Sequence, residues 1–449
     1  MEFLDKIVLH QSAHHMELIK YLLILTHFLF IGYTGLLLGS VLISYFFKRK
    51  YDKTKDEKYY LNIKKFIDLA TFNKGASFTF AIIPILSAMF GYSQLLHLSN
   101  INFAFYFIWS ALFLFIALIF IYSFKYSVHL RDIFSLTEKS NVQLDNLKSE
   151  IEHYKSSTNL LYAKSGLYGL LILLVSVYFY SIASQLAVNL NNWNPNRSFI
   201  TELFSINSLT YFLLFINISF IITSIIVLYK YFRNNSTEKF ETEEVKDYLK
   251  NFSLKLLLSF SAILPLIIIL NVFSKPVLSF SFDYFGGTVL FILLILFVIS
   301  FTYLMINENH LKFITTILLL FSISLFVFVN NEQSSFDTST KSHFAFLSNE
   351  YDVYEKNLKE SAGLIKVAIN GADIYNGKCI ACHQFDKKVV GPPYNTVIPK
   401  YEGKKDQLVK FILNPVKVNP EYPSMPNQGL KPNEAEAVAD FLLSNYKKN

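Results

Sequence analysis

Eight long apolar stretches before residue 331 constrain the fold of this chain more than any other feature of its sequence. A helix needs roughly 20 apolar residues to cross the hydrocarbon core of a bilayer. Of the 449 residues, 52% are hydrophobic, with 45 Phe and 28 Tyr, well above an ordinary soluble domain. The sequence therefore predicts an all-α fold whose first part, residues 1–330, is a polytopic helical membrane domain. Its predicted spans are approximately residues 18–46, 70–97, 103–127, 160–187, 206–230, 252–274, 284–305 and 311–330.

Basic residues predict the orientation of these spans, because cytoplasmic loops carry an excess of Lys and Arg. The first, third and fifth connections are rich in them, whereas the intervening ones carry only Arg197 and Lys275. The odd connections are therefore predicted to be cytoplasmic, which places both termini on the outer, periplasmic side of the cytoplasmic membrane. The net charge of +7 thus reflects membrane orientation and not nucleic-acid binding. The basic residues of the first connection are Lys48, Arg49, Lys50, Lys53, Lys55, Lys58, Lys64 and Lys65.

The composition changes after Asn330. Residues 331–350 are polar and rich in Ser and Thr, which predicts a linker, and residues 351–449 are predicted to form a small globular domain. At the other end, residues 1–20 are polar and contain histidines, with no short apolar run ahead of a small-residue cleavage site. No cleavable signal peptide is therefore expected.

The C-terminal domain contains Cys379-Ile380-Ala381-Cys382-His383, which includes the only two cysteines of the chain. In a C-x-x-C-H motif each thiol can form a thioether to a haem vinyl group, and the histidine becomes a ligand of the iron. A structural zinc half-site would need a second Cys/His pair, and a thioredoxin-like redox pair would need a βαβ setting. Neither context is present. The motif therefore predicts one covalent haem c with iron bound by His383.

Met425 is predicted to be the second axial ligand. It is the only methionine after residue 305 and lies between Pro423 and Pro426, and a thioether opposite histidine raises the reduction potential relative to a second histidine. The alternatives are that Met425 is a buried core residue, or that His343 in the predicted linker is the ligand. A six-coordinate iron has no open position for substrate, so this domain is expected to carry electrons without chemistry of its own.

Residues 371–449 resemble a class I monohaem cytochrome c. Gly371 and Tyr375 occupy the places of a small and an aromatic residue in that family's N-terminal helix. Gly391 and Pro392 match its Gly-Pro turn beside the proximal histidine, and Met425 matches its second axial ligand. The resemblance implies that Gly391 and Pro392 help to form the haem site.

His27 is the clearest ionisable residue inside a predicted span, and such residues often mark function. It lies about ten residues into the first span, near 15 Å by helical rise. Three roles stay open: a hydrogen bond to a neighbouring helix, a place in a proton path, or axial ligation of a haem b. Another set of histidines near the outer surface is either interfacial and inert or a metal or haem site. These are His10, His14, His15 and His97.

The segment Thr26-His27-Phe28-Leu29-Phe30, followed by Thr34-Gly35-Leu36, resembles the first helix of subunit I of the cytochrome bd oxygen reductase superfamily. In that family the histidine binds a high-spin haem near the outer face, so the resemblance implies a haem b on His27. The chain lacks counterparts of the family's histidine in the fifth helix, its methionine ligand, its acidic residue in the third helix and its quinol-binding loop. These departures argue against quinol oxidation and a low-spin haem.

Together these features predict a membrane-anchored c-type cytochrome that transfers electrons within a respiratory complex. Its partners would be other subunits or redox proteins and the lipid bilayer, with no nucleic acid. The alternative is an enzyme, a divergent bd-like reductase of oxygen or nitric oxide fed by its own cytochrome c domain, with His27 as the candidate catalytic residue. A third alternative is that the membrane domain is only an assembly scaffold. A haem b is required by the reductase, optional for the electron carrier and absent from an assembly scaffold.

Overall fold

The computed structural model describes residues 10–99, 103–139, 148–189, 193, 199–233, 238, 240–308, 311–362, 364 and 369–446. Arg197, used above to predict orientation, lies outside these ranges. The chain divides into two compact units, Met1–Asp352 and Val353–Asn449. Every regular element in the described ranges is a helix, which confirms the all-α prediction.

Eight of the described helices are long and apolar enough to cross a membrane, which confirms the predicted fold class. The helices up to residue 361 are α1 (Ala13–Thr54), α2 (Glu57–Ala70), α3 (Lys74–Leu95), α4 (Phe103–Lys139), α5 (Lys148–Val188), α6 (Phe199–Leu203), α7 (Ile206–Phe232), α8 (Glu243–Ser274), α9 (Phe282–Asn307), α10 (Ile314–Ser339) and α11 (Lys341–Ser361). The eight candidate spans are α1, α3, α4, α5, α7, α8, α9 and α10.

Short polar side chains set where several long helices begin. The Ser12 hydroxyl accepts a backbone N–H of the first turn of α1 at 3.2 Å, and Asn73, Thr242 and Ser281 cap α3, α8 and α9 in the same way. Such caps satisfy N–H groups that have no partner within the helix. At its far end α1 passes its predicted limit at residue 46 and stops at a left-handed cap, Lys55 (φ 59°). Hydropathy marks the part of a helix that suits a bilayer, whereas backbone hydrogen bonding carries the helix beyond it.

Small residues bring α1 and α7 close together. A Cβ on Gly39 would overlap the side chain of Thr223 and the carbonyl of Ser219, and the Thr223 hydroxyl donates to the carbonyl of Leu36 at 3.4 Å. Small residues and interhelical hydrogen bonds are the usual means by which membrane helices associate, because lipid is as apolar as their side chains. This crossing buries α1, the helix that carries His27.

Residues 331–350 are helical, which corrects their prediction as a polar linker. Helix α10 continues to Ser339, and α11 follows after Thr340. The N–H and the hydroxyl of Thr340 both donate to the carbonyl of Phe336, at 2.9 and 2.6 Å, and so close the last turn of α10. Phe336, Phe344 and Leu347 are buried. The Ser- and Thr-rich composition concealed an apolar face with helical spacing.

The second unit is a small helical domain. Its elements are α12 (Gly371–Ile374), which continues as a wider turn over Tyr375–Cys379, then α13 (Tyr394–Val397), α14 (Lys405–Leu413) and α15 (Pro432–Asn445). A Cβ on Gly371 would overlap the carbonyl of Ala437, so only glycine permits this close crossing of α12 and α15. Around the crossing pack Tyr375, Val438 and Leu442. The resulting core supports the segment that follows α12.

Candidate haem-binding site

The C-x-x-C-H motif lies directly after the wider turn that extends α12. The N–H groups of Cys382 and His383 donate to the carbonyl of Cys379 at 3.1 and 2.9 Å, which folds the motif into a tight turn. The two cysteines form no disulfide, and both lie in the wall of one cleft. Burial raises the pKa of the Cys379 thiol. The turn therefore presents two thiols and the histidine to the same space.

His383 is held with one ring nitrogen committed and the other available. Its Nδ1–H donates to the carbonyl of Pro392 at 3.0 Å, and its ring stacks on Tyr394 with centroids 4.9 Å apart. Because a carbonyl can only accept, Nδ1 carries the proton and Nε2 keeps the lone pair that a metal requires. Such an outer hydrogen bond orients a ligating imidazole and raises its basicity.

Gly391 and Pro392, both predicted for the site, shape this arrangement. A Cβ on Gly391 would overlap the His383 ring, at 2.6 Å from Nδ1 and 2.7 Å from Nε2. The N–H of Gly391 donates to the carbonyl of Cys382 at 2.9 Å. The loop is thus fastened to the motif at the point where its backbone meets the imidazole, and the Pro392 carbonyl is aimed at Nδ1 as a result.

The cleft beside His383 has a volume of ≈ 1340 Å³, counted to its open mouth. Its lining is largely apolar, and Met425 lies in its wall. The hydrocarbon and aromatic side chains in the lining include Val390, Tyr394, Val397, Ile398, Tyr401, Leu408, Phe411, Ile412, Val416, Val418 and Leu442. A largely apolar cleft with a few converging donor groups is typical of a cofactor site.

The donor set of the cleft fits haem c. Two thiols at C-x-x-C spacing can form the thioethers, the Nε2 of His383 has a lone pair that could bind iron, and a thioether from Met425 is available in the same cleft. The apolar lining suits a porphyrin ring. The fold and the site thus define a small all-α electron carrier of the c-type haem class.

Comparison with known proteins identifies the family. The protein-family model for cytochrome c matches residues 368–445. Cytochrome c-551 of Pseudomonas denitrificans is 33% identical over 79 residues, which are 16% of this chain and 95% of that protein. Cytochrome c-552 of Nitrosomonas europaea is 35% identical over 71 residues (15% of this chain, 68% of that protein), and cytochrome c-552 of Hydrogenobacter thermophilus is 38% identical over 71 residues (15% and 70%). No solved structure matches the chain.

The chain belongs to the cytochrome c family through its C-terminal domain. The family implies covalent haem c and electron transfer. The family match covers residues 368–445 and so lends no support to the resemblance between α1 and the bd oxygen reductases.

His27 is buried on α1 between two tyrosines of other helices. Its Nδ1 is hydrogen-bonded to the Tyr180 hydroxyl at 2.5 Å and its Nε2 to the Tyr92 hydroxyl at 3.1 Å. The cavity it lines is ≈ 340 Å³, against ≈ 1340 Å³ for the cleft at His383. With both ring nitrogens engaged and little space beside them, the residues present do not fit a haem b. Of the roles left open, the structure shows the hydrogen bond to neighbouring helices.

The other candidate histidines are scattered. His14 and His15 are exposed in the first turn of α1, His97 is buried just after α3, and the His343 ring packs edge-on against Trp193 at 5.1 Å. Within the described ranges, no group of three or more His, Cys, Asp or Glu side chains could hold a metal ion. A metal role for His10, His14, His15 and His97 gains no support from these positions.

One buried ion pair escaped the sequence analysis. The Lys275 ammonium, fully buried after α8, lies 2.9 Å from the Glu332 carboxylate on α10, and the Gln185 amide of α5 donates to the same oxygen at 3.2 Å. Glu332 and Gln185 line the cavity beside His27. Lys275 was used only as a loop charge, and Glu332 fell in the predicted linker. The sequence did contain a signal for this pair: Lys275 directly follows the predicted span 252–274, and Glu332 lies two residues after the span 311–330.

Proposed function

We propose that this protein is a membrane-anchored c-type cytochrome that transfers electrons within a respiratory complex, using one haem c ligated by His383 and Met425. The observation that supports it best is the apolar cleft into which both thiols, the imidazole and the thioether converge. His383 and Met425 together would leave the iron no open position for substrate, so the group they hold would exchange electrons only.

Each residue of the site has a distinct task. Haem c supplies a one-electron iron couple when bound. Cys379 and Cys382 anchor the group covalently, the Pro392 carbonyl holds the imidazole of His383 in one tautomer, and Met425 raises the reduction potential. The apolar lining keeps water from most of the ring, which also favours the less charged, reduced state.

The membrane helices tether this carrier near its partners. A tethered domain meets a neighbouring site at a high effective concentration, which favours fast transfer to redox proteins or other subunits of the same complex. The proposed location is the periplasmic side of the cytoplasmic membrane. Four lysines support this orientation, because they cluster on one side of the predicted spans and each pairs with an acidic side chain: Lys48 near the end of α1, and Lys58, Lys64 and Lys65 on α2.

A pyridine haemochrome spectrum of the detergent-purified full-length protein, with haem counted per chain, tests the proposal. We expect one haem c, still attached in a denaturing gel, and no covalent haem in the Cys379→Ser/Cys382→Ser variant. A chain without covalent haem would overturn the proposal.

No observation favours the alternative of an oxygen or nitric oxide reductase, since the site it requires at His27 is occupied by two tyrosine hydroxyls. The same spectrum decides the matter. Stoichiometric haem b that disappears in His27→Ala would establish a second redox centre, which the enzyme requires, whereas haem c alone would exclude the reductase.

A further inference from the structure

The segment that carries Met425 has no helix or strand of its own to hold it. It lies between the end of α14 at Leu413 and the start of α15 at Pro432. We call residues 419–429 the Met425 loop. Its internal hydrogen bonds are local: the N–H of Tyr422 donates to the carbonyl of Asn419 at 3.3 Å, and the N–H of Gly429 donates to the Asn427 side chain at 2.8 Å. Such bonds shape the loop without fastening it across the cleft.

Two lysines from the His383 side reach across to this loop. The Lys378 ammonium donates to the carbonyl of Gln428 at 3.2 Å, and the Lys388 ammonium lies 4.7 Å from the centroid of the Tyr422 ring. Lys378 directly precedes Cys379, and Lys388 lies between His383 and Gly391. Both lysines are exposed, whereas Tyr422, Gln428 and Met425 are half-buried.

The two contacts are placed symmetrically about the ligand. Tyr422 comes three residues before Met425 and Gln428 three residues after it. A loop held at one side only can swing its middle residue away, whereas a loop held on both sides of that residue keeps it over the cleft. A charge-assisted hydrogen bond and a cation–π contact suit this purpose, because each bridges a gap that the backbone does not close.

We propose that Lys378 and Lys388 are positioning residues that clasp the Met425 loop over the haem and so maintain Met425 as the axial ligand. The proposal rests on the His383/Met425 ligation proposed above.

The test is a titration of the full-length ferric holoprotein with imidazole, which competes with Met425 for the iron. Displacement of Met425 is measured as the loss of the red absorption band that thioether-bound iron produces. Removing one surface contact of this kind should lower the imidazole concentration at half-displacement about threefold, so we expect that shift in Lys378→Ala and in Lys388→Ala and about tenfold in the double variant. Lys387→Ala is the matched control, since this exposed neighbour of Lys388 makes no hydrogen bond or ring contact in the described structure, and should titrate as the natural protein does. The conservative variant Lys388→Arg keeps a cation over Tyr422 and should show the same imidazole concentration at half-displacement as the natural protein.

Equal titrations for the natural protein and the double variant would overturn the clasp. A natural protein without the thioether band would instead refute the ligation itself, so the two failures are distinguishable. Far-UV circular dichroism will show whether a variant is unfolded. If Lys388→Ala is unfolded, the folded Lys388→Arg variant can still be compared with the natural protein.

Discussion

At the scale of single residues, Gly391 is the position where the haem site tolerates least change. Its missing side chain is what allows the backbone to lie against the His383 ring. In Gly391→Ala the new methyl must push the loop or the imidazole aside, at a cost of about 1–3 kcal/mol, as for other overpacked sites. We expect a lower unfolding temperature and a weakened Nδ1 hydrogen bond, which makes the imidazole less basic, favours the ferric iron less and should therefore raise the reduction potential. An unchanged midpoint and melting curve would contradict this account; Gly377→Ala, where a Cβ meets open space, is the control.

The proposed ligation by Met425 predicts a second residue-scale outcome, the reduction potential of the iron. Methionine opposite histidine raises the potential relative to two histidines. Met425→His should therefore lower the midpoint by tenths of a volt, a fraction of the roughly 0.8 V that axial ligands span. Spectroelectrochemistry of the purified holoprotein measures it. A midpoint equal to that of the natural protein would show that Met425 is not a ligand.

At the scale of elements, the Lys275–Glu332 pair ties the end of α8 to α10. The Lys275 side chain is 0% exposed and that of Glu332 15%, so removing one partner leaves an uncompensated buried charge, which typically costs about 3–5 kcal/mol. Glu332→Gln should therefore unfold in detergent at a clearly lower temperature. The double variant Lys275→Met/Glu332→Leu should recover most of the loss, because an apolar pair of similar volume needs no partner. Equal melting of the single variant and the natural protein would refute a structural role for the pair.

At the scale of the whole molecule, the topology can be read by cysteine labelling. The two native thiols are expected to be thioethers, so an introduced cysteine is the sole target. With the proposed orientation, Val277→Cys, at a position 83% exposed between α8 and α9, should react with a membrane-impermeant maleimide in cells with a permeabilised outer envelope. Lys53→Cys, near the end of α1, should react only after the inner membrane is opened. The reverse pattern would place the haem domain on the cytoplasmic side.

Much of the fold and the haem site could be predicted because their signals are local. Apolar length predicts each span, and Cys379, Cys382 and His383 are adjacent in the chain, so one turn of backbone brings them together. The prediction of a linker over residues 331–350 rested on their polar composition. The buried face of Phe336, Phe344 and Leu347 depends instead on the spacing of these residues along the helices and on the side chains packed against them.

Partners far apart in sequence were beyond such reasoning. His27 meets Tyr92 and Tyr180, 65 and 153 residues away, and Lys275 meets Glu332, 57 residues away. No local pattern encodes these pairs, since each depends on which helices pack together and at what rotation.

The sequence by itself predicted eight helices long and apolar enough to span a membrane and a covalent haem c, because apolar length and the C-x-x-C-H motif act through local chemistry. Only the tertiary structure decided that the ring nitrogens of His27 are taken by two tyrosines, that Lys275 is neutralised by Glu332, and that two lysines reach the Met425 loop. Those outcomes require side chains from distant parts of the chain to occupy the same few ångströms, and packing alone sets that distance.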